Sequence, residues 1–412
     1  MAAGRRCVAV IAFTCQPGRG SEYEVGWQWP LHVPNTYQVI VFTRMACWST
    51  IEAECTVYEG RPAKRIDNRV YVGIDIPWAT KLLTGTRLMR IHSFAWQLLV
   101  LLHLLRNRRH YDLVHHVCFV AVWMPAFAAF VGKPFIWGPL GTNLPLPRWY
   151  RPATGRWKRL RILLRHFVTQ LSPQANPLVW LCQRRARRLI VINQHVRSLL
   201  RGKARHCAVV HPAIGVTAQW LNPTVPAKAN RKKRVLFVGR FMDFKLPDLA
   251  LEVGCAVVEA DPEAHFMMVG ENLPKALGPC PHERVQLVDS VSQMELRRLM
   301  EASMVSLFPS FEGSGFVVLE AMARGLPVVC LAGTGPGDFV GEKGGMVCPI
   351  GDSRQAMVHT LCEAILRLLN DEVLWVYKSK GAQEQAKNFT WDRLNCFLED
   401  SYNEVLGAAA QD

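Results

Sequence analysis

Two glutamates eight positions apart, set in an alternation of apolar run, glycine loop, helix-forming run and apolar run, constrain this chain more than any other feature. Residues 311–325 read F-E-G-S-G-F-V-V-L-E-A-M-A-R-G, with Glu312 and Glu320 at the ends of the spacing. The apolar run 304–308 enters as a buried strand, and Pro309 and Ser310 stop it. Residues 316–324 have helix-forming composition, and Gly325, Leu326 and Pro327 follow where a terminal Gly and a later Pro are expected. With a second strand at 328–331, the unit follows the βαβ grammar of a doubly wound α/β sheet.

Gly313 and Gly315 let the backbone turn tightly and approach a ligand, and the free N–H groups at the start of the Phe316 helix offer partners to phosphate oxygens. Glu320 falls about one turn inside that helix, where a carboxylate can accept two hydrogen bonds from a ribose diol. Glu312 sits in the loop, placed to meet whatever follows the phosphates. A plainer reading has both acids only complementing the helix dipole. The whole string resembles the E-x7-E signature of the glycosyltransferase group 1 family. That resemblance implies retaining enzymes of GT-B fold, two Rossmann-like domains facing across a cleft, which use nucleotide-sugar donors. It implies a donor-ribose role for Glu320. Glu312, a candidate catalytic residue, is implied to lie with Gly313, Ser314, Gly315 and Phe316 against the donor.

At 412 residues the chain suits two domains. Its charge is unevenly spread. Residues 1–230 hold 31 Lys and Arg against 8 Asp and Glu, and the remainder holds 18 against 25. Residues 113–242 contain no Asp or Glu. So basic a half should be drawn to polyanions: nucleic acid, phosphorylated substrate or anionic membrane. No nucleic-acid module is visible in the sequence, so no nucleic-acid partner is expected. Thirteen cysteines without a C-x2-C pair read as reduced residues of a cytoplasmic protein. The longest apolar helix candidate, 92–105, falls short of a bilayer span, so no transmembrane segment is expected.

In chain order, 7–15 reads as a central strand, followed by a glycine loop with Gly18, Gly20 and Ser21. By resemblance this loop faces the donor phosphate or the acceptor. Strands are expected at 37–44, 69–75, 111–117, 133–141, 187–193 and 207–214, and a long helix at 86–109. His115 and His116 are candidate catalytic residues by resemblance, with a structural role as the alternative. Residues 148–165 mix arginines with Trp149, Tyr150 and Trp157, which suits either a lipid headgroup boundary or a solvated helix face. A linker is expected at 222–233. The next strand, 235–239, leads into Arg240 and Lys245, which resemble the family's G-R-x4-K string and are implied to hold the donor pyrophosphate. Residues 333–338 resemble the family's glycine turn before an acid, with Asp338 where Glu is more usual, and a final helix from about 388 is implied to cross back onto the first domain.

These readings divide the chain into a first domain over 1–226 joined by 388–412, and a nucleotide-sugar-binding domain over 227–387. The expected activity is hexosyl transfer with retention to a hydroxyl acceptor, lipid-linked or a polysaccharide precursor. The protein would lie in the cytoplasm, peripheral on the inner face of the membrane. No metal or cofactor is expected, since Arg240 and Lys245 can neutralise the diphosphate. A nucleotide-sugar 2-epimerase of the same fold and a non-catalytic basic polyanion-binding protein are the rival readings.

Overall fold

The computed structural model describes residues 5–76, 88–119, 121–147, 149–150, 156–221, 231–271, 277–278 and 282–409, with backbone alone at 21, 156–159, 161–163 and 165–166. It divides into two compact units, Met1–Thr142 with Leu164–Ala213 and Trp391–Asp412, and Asn143–Leu163 with Ile214–Thr390. The first domain as read from the sequence ran unbroken to residue 226. In the structure Asn143–Leu163 groups with the second unit, where the Leu144 N–H donates to Phe311 O (3.0 Å) and the Trp149 indole to Gly351 O (2.7 Å). Of the linker expected at 222–233, residues 222–230 lie outside the described residues, as do Thr86 and Arg87 of the long helix.

The first unit is built on a nine-stranded sheet. Its strands are β1 (Cys7–Ala12), β2 (Gln38–Thr43), β3 (Glu54–Tyr58), β4 (Arg61–Ile66), β5 (Arg69–Gly73), β6 (Leu113–Cys118), β7 (Phe135–Leu140), β8 (Arg188–Val191) and β9 (Ala208–Val210), in the order β3-β4-β5-β2-β1-β6-β7-β8-β9. β1 is apolar throughout and buried at all six positions, as a strand flanked on both edges and covered on both faces must be. Only the β3–β4–β5 pairings are antiparallel. The β3–β4 hairpin was not anticipated from the sequence, because β3 is mostly exposed and polar and lacks an apolar stripe. Its turn uses Glu59 and Gly60, both at positive φ. Helix Trp391–Ala409 belongs to this unit, with the Tyr37 hydroxyl donating to Asn403 Oδ1 (2.8 Å).

The second unit holds a six-stranded, wholly parallel sheet of β10 (Lys232–Val238), β11 (His265–Val269), β12 (Val285–Val288), β13 (Ser303–Phe308), β14 (Val328–Leu331) and β15 (Gly345–Cys348), ordered β12-β11-β10-β13-β14-β15. Helix Pro247–Ala260 buries Leu249, Val253 and Val257 in a core shared with Phe266, Leu361 and Ile365. Each such side chain contributes about 1.5–3 kcal/mol as an upper estimate. Helix Gln293–Ala302 starts where Ser292 caps the Glu295 N–H (3.2 Å). From β10 the chain winds outward through β11 and β12, and from β13 through β14 and β15. The direction therefore reverses between β10 and β13, the place at which open α/β sheets bind ligands beyond their carboxyl ends. In the first unit the reversal lies between β1 and β6.

Among the described residues no helix is long and apolar enough to cross a membrane. The described cysteines are free, nine of them buried or half-buried, and burial pushes the Cys7 thiol up to about 12.

Candidate functional site

The loops that leave β10 and β13 are tied to each other by backbone. After Gly239 and the exposed Arg240, the chain makes a 3-10 turn at Asp243–Lys245 and passes Leu246 in the left-handed region (φ 48°) into helix Pro247–Ala260. The Phe244 carbonyl accepts both the Phe311 N–H (2.8 Å) and the Ser310 hydroxyl (3.1 Å), and the Ser310 oxygen accepts the Glu312 N–H (3.2 Å). These bonds bring Lys245 Nζ to 2.8 Å from Glu312 Oε1, with each side chain only 14% exposed. Lys245 Nζ also lies 5.2 Å from the Phe308 ring centroid. Gly239 gives the lysine room, since a Cβ there would sit 3.1 Å from Lys245 Cδ.

Helix Phe316–Ala323 begins after Gly315 without a side-chain cap. Gly315 has φ −167°, an extended conformation open to any residue, so the tight turn expected of it is not its function. What it supplies is space: a Cβ would approach the Phe308 ring to 3.2 Å. Gly313 is buried, while Ser314, Phe316 and Glu320 are half-buried, with Glu320 on the second turn of the helix.

One supporting element was not legible from the sequence. Residues 333–338 do not form a simple turn. Thr334 donates to Leu331 O (2.7 Å), accepts the Gly337 N–H (3.1 Å) and so caps the helix Gly335–Val340. The Gly335 N–H donates to Glu312 O (3.1 Å), and a Cβ on Gly335 would lie 2.0 Å from Gly313 O. This helix start braces the glutamate loop from behind. A threonine three residues ahead of Gly337, with a proline between, was the signal for a helix cap.

In the first unit, Gly18 (φ 70°) and Gly20 (φ 67°) take the left-handed region that favours glycine, and helix Ser21–Leu31 begins directly after. The Gly18 N–H donates to Glu24 Oε2 (2.8 Å), and Glu22 Oε2 accepts the Phe119 N–H (3.0 Å), which ties the loop to the end of β6. Gly26 permits a near approach of helix to strand end, since its Cβ would fall 1.7 Å from Thr14 O. Of the basic and aromatic segment 148–165, Arg148 and the Trp157 side chain lie outside the described residues.

The two histidines sit inside β6. His115 is fully buried: its Nε2–H donates to Gly138 O (3.0 Å) and its Nδ1 accepts from the Tyr402 hydroxyl (2.8 Å). Both ring nitrogens are thereby engaged in the neutral form, and burial pulls the pKa to about 3. That geometry removes His115 from the catalytic candidates and makes it a bond between β7 and the last helix. His116 points to the other face, 2% exposed, with Nδ1 unpartnered among the described residues and a pKa likewise pulled by burial to about 3.

The chain is similar to known proteins. A family model described as glycosyl transferases group 1 matches residues 232–371. A D-inositol 3-phosphate glycosyltransferase from Corynebacterium glutamicum is 24% identical over 193 residues, 42% of this chain and 44% of that protein. Another of that name from Salinispora tropica is 32% identical over 190 residues, 42% of this chain and 38% of that protein. The match thus spans less than half the length of these relatives. Among solved structures, sucrose-phosphate synthase from Thermosynechococcus elongatus superposes with a TM-score of 0.61 at 18% identity, covering 98% of this chain and 100% of that one. WaaG, a glycosyltransferase involved in lipopolysaccharide biosynthesis, gives 0.60 at 16% identity over 97% and 99% of the two chains. Anabaena HepE, solved with UDP and glucose, gives 0.55 at 15% identity over 97% and 100%.

Proposed function

We propose, from the match of residues 232–371 to the group 1 glycosyltransferase model and from the GT-B fold, that the chain transfers a sugar from a nucleoside diphosphate to an acceptor hydroxyl with retention at the anomeric carbon. The observation that carries this reading is the Lys245–Glu312 pair, held at the reversal point between β10 and β13 beside the start of helix Phe316–Ala323. Arg240 and Lys245 take the diphosphate, and the amides leading into the Phe316 helix add partial positive charge. Glu320 holds the ribose diol, and Glu312 lies against the sugar. As the glycosidic bond breaks, negative charge grows on the departing diphosphate, so these groups bind the transition state more tightly than the donor. Residues 113–242 offer no carboxylate and His115 is sealed, so the acceptor hydroxyl attacks the face the diphosphate leaves and gives its proton to a phosphate oxygen.

The acceptor is lipid-linked and met at the inner face of an anionic membrane, a reading supported by the basic first half of the chain. No divalent metal is needed, because the two cations stand where a metal would otherwise neutralise the diphosphate. A calorimetric screen of UDP-, GDP- and ADP-sugars tests the reading, followed by transfer assays with and without EDTA. We expect one nucleotide class to bind, and turnover to change less than about twofold on chelation. Absence of binding at millimolar donor would overturn the assignment, and activity that returns only with Mg²⁺ would overturn the metal-free account. Interconversion of the sugar without acceptor would turn the reading to the epimerase.

A further inference from the structure

Apolar side chains collect on the outer helix faces of the first unit. Seventeen large hydrophobic residues are exposed among the described residues, and eleven of them lie on or beside helices Met89–Arg106, Arg156–Ala175 and Pro177–Arg185. On the first, Ile91, Leu98, Leu102 and Leu105 recur at helical spacing. On the second, Leu164, Phe167, Val168 and Leu171 do the same, with Phe167 62% exposed. Grouped at helical spacing on two helices, these residues differ from singly scattered surface hydrophobics.

The helices that carry these faces pack through their other sides against one segment, residues 121–131. Gln97 Oε1 of the first helix accepts the Phe127 N–H (3.1 Å), and Arg90 lies 4.5 Å from the Trp123 ring. From the other side of the sequence, the Ser172 hydroxyl donates to Trp123 O (3.2 Å) and Cys182 Sγ to Ala126 O (3.4 Å). Beside Phe167 and Leu171 opens a groove of about 840 Å³, whose lining also includes Ala175, Pro177 and Arg201.

Charge identifies the occupant. Helix Arg156–Ala175 carries Arg156, Lys158, Arg159, Arg161 and Arg165 in its sequence and no acid, and Arg106, Arg108 and Arg109 follow the other apolar face. A second copy would bring the same positive charge and be repelled, whereas a bilayer of anionic lipid offers both an apolar boundary and the opposite sign. We propose that these two helix faces are the membrane-docking surface of the protein, seated in the headgroup boundary of an anionic leaflet. This deepens the reading of a lipid-borne acceptor and rests on it only for its purpose, since the surface is argued from these helices themselves, the second of which runs from the second unit into the first at Leu164.

Vesicle flotation tests it, with phosphatidylcholine alone or mixed with phosphatidylglycerol. The wild-type chain should float with the anionic mixture and be released by high salt. F167E/L171E and L98E/L102E should each cut the bound fraction at least about tenfold, while M294E, an exposed apolar position of the second unit, should leave it unchanged. Thermal melts and nucleotide-sugar binding on the same variants report folding and the donor site separately. Loss of donor binding in every sample with normal flotation would sink the transferase reading and leave the surface standing. Flotation indifferent to both double substitutions or to lipid charge would overturn the surface. So would light scattering that shows a dimer dissolved by those substitutions, which would assign the face to a second copy.

Discussion

In β6 the first unit keeps two histidines inside the sheet and neutral, whereas beyond β10 and β13 the second unit sets a lysine and a glutamate in the loops and opposes them as a pair. Both sheets reverse their winding at these points, so topology offers a binding crevice in each. Their equipment differs because of depth. A histidine in the middle of a central strand is stripped of water and loses its charge, while Lys245, in the loop beyond the end of β10, faces a carboxylate. The strand-borne residues hold the fold, and the loop-borne ones remain open to a ligand.

The sharpest way to break that contrast is Lys245→Ala. On the proposed function it should lower kcat/KM on the order of 100-fold or more, the scale of removing a charged group from a developing anion. Leaving Glu312 without its partner should also cost about 3 kcal/mol of stability. Adding Glu312→Gln should restore much of the melting temperature and none of the turnover. A double variant that regains activity would show the pair to be only structural.

Next in size is the histidine pair. Both stand neutral in the folded protein, pulled to about 3 from an ordinary value of 6.5. The unfolded chain therefore takes up protons that the folded chain cannot. Stability should be intact above the ordinary value and fall as pH drops toward 3, by up to about 1.4 kcal/mol per pH unit for each histidine. His115→Leu should cost about 2–4 kcal/mol at pH 8, because it leaves the Tyr402 hydroxyl and the Gly138 carbonyl unpartnered. His116→Leu should cost about 1 kcal/mol or less and flatten the acid slope. Urea melts across pH check all three, and equal costs for the two variants would contradict the geometry.

Gly335→Ala should have the mildest effect of the three, about tenfold in turnover, as the glutamate loop shifts to clear a Cβ that would start 2.0 Å from Gly313 O. Donor affinity and turnover measured together locate the damage. An unaltered enzyme would mean that the brace does not position Glu312.

Much of the second sheet was legible because local chemistry and tertiary structure agree there. Helices Pro247–Ala260 and Gln293–Ala302 begin where a proline and a capping serine say they should, and β14 is an unbroken apolar run. The β3–β4 hairpin was illegible for the opposite reason: at the sheet edge its residues face water and carry no periodicity to read. β15 hid behind its glycine, which is there because Val328 O would lie 1.9 Å from any Cβ. At the candidate site, glycines, charges and spacing were visible along the chain. The Lys245–Glu312 pairing and the Gly335 brace were not, because each joins residues tens of positions apart through backbone contacts that no local pattern encodes.

The ion pair has a kinetic consequence. With Lys245 and Glu312 cancelling at 2.8 Å, the empty loops project little net field from that pair, and the exposed Arg240 becomes the cation that an approaching dianion feels at a distance. On the proposed function, capture and residence of the donor are then governed by different residues. Ionic strength should tune how often a donor arrives, through Arg240, while the exchange of partners at Lys245, shielded from counterions, sets how long it stays.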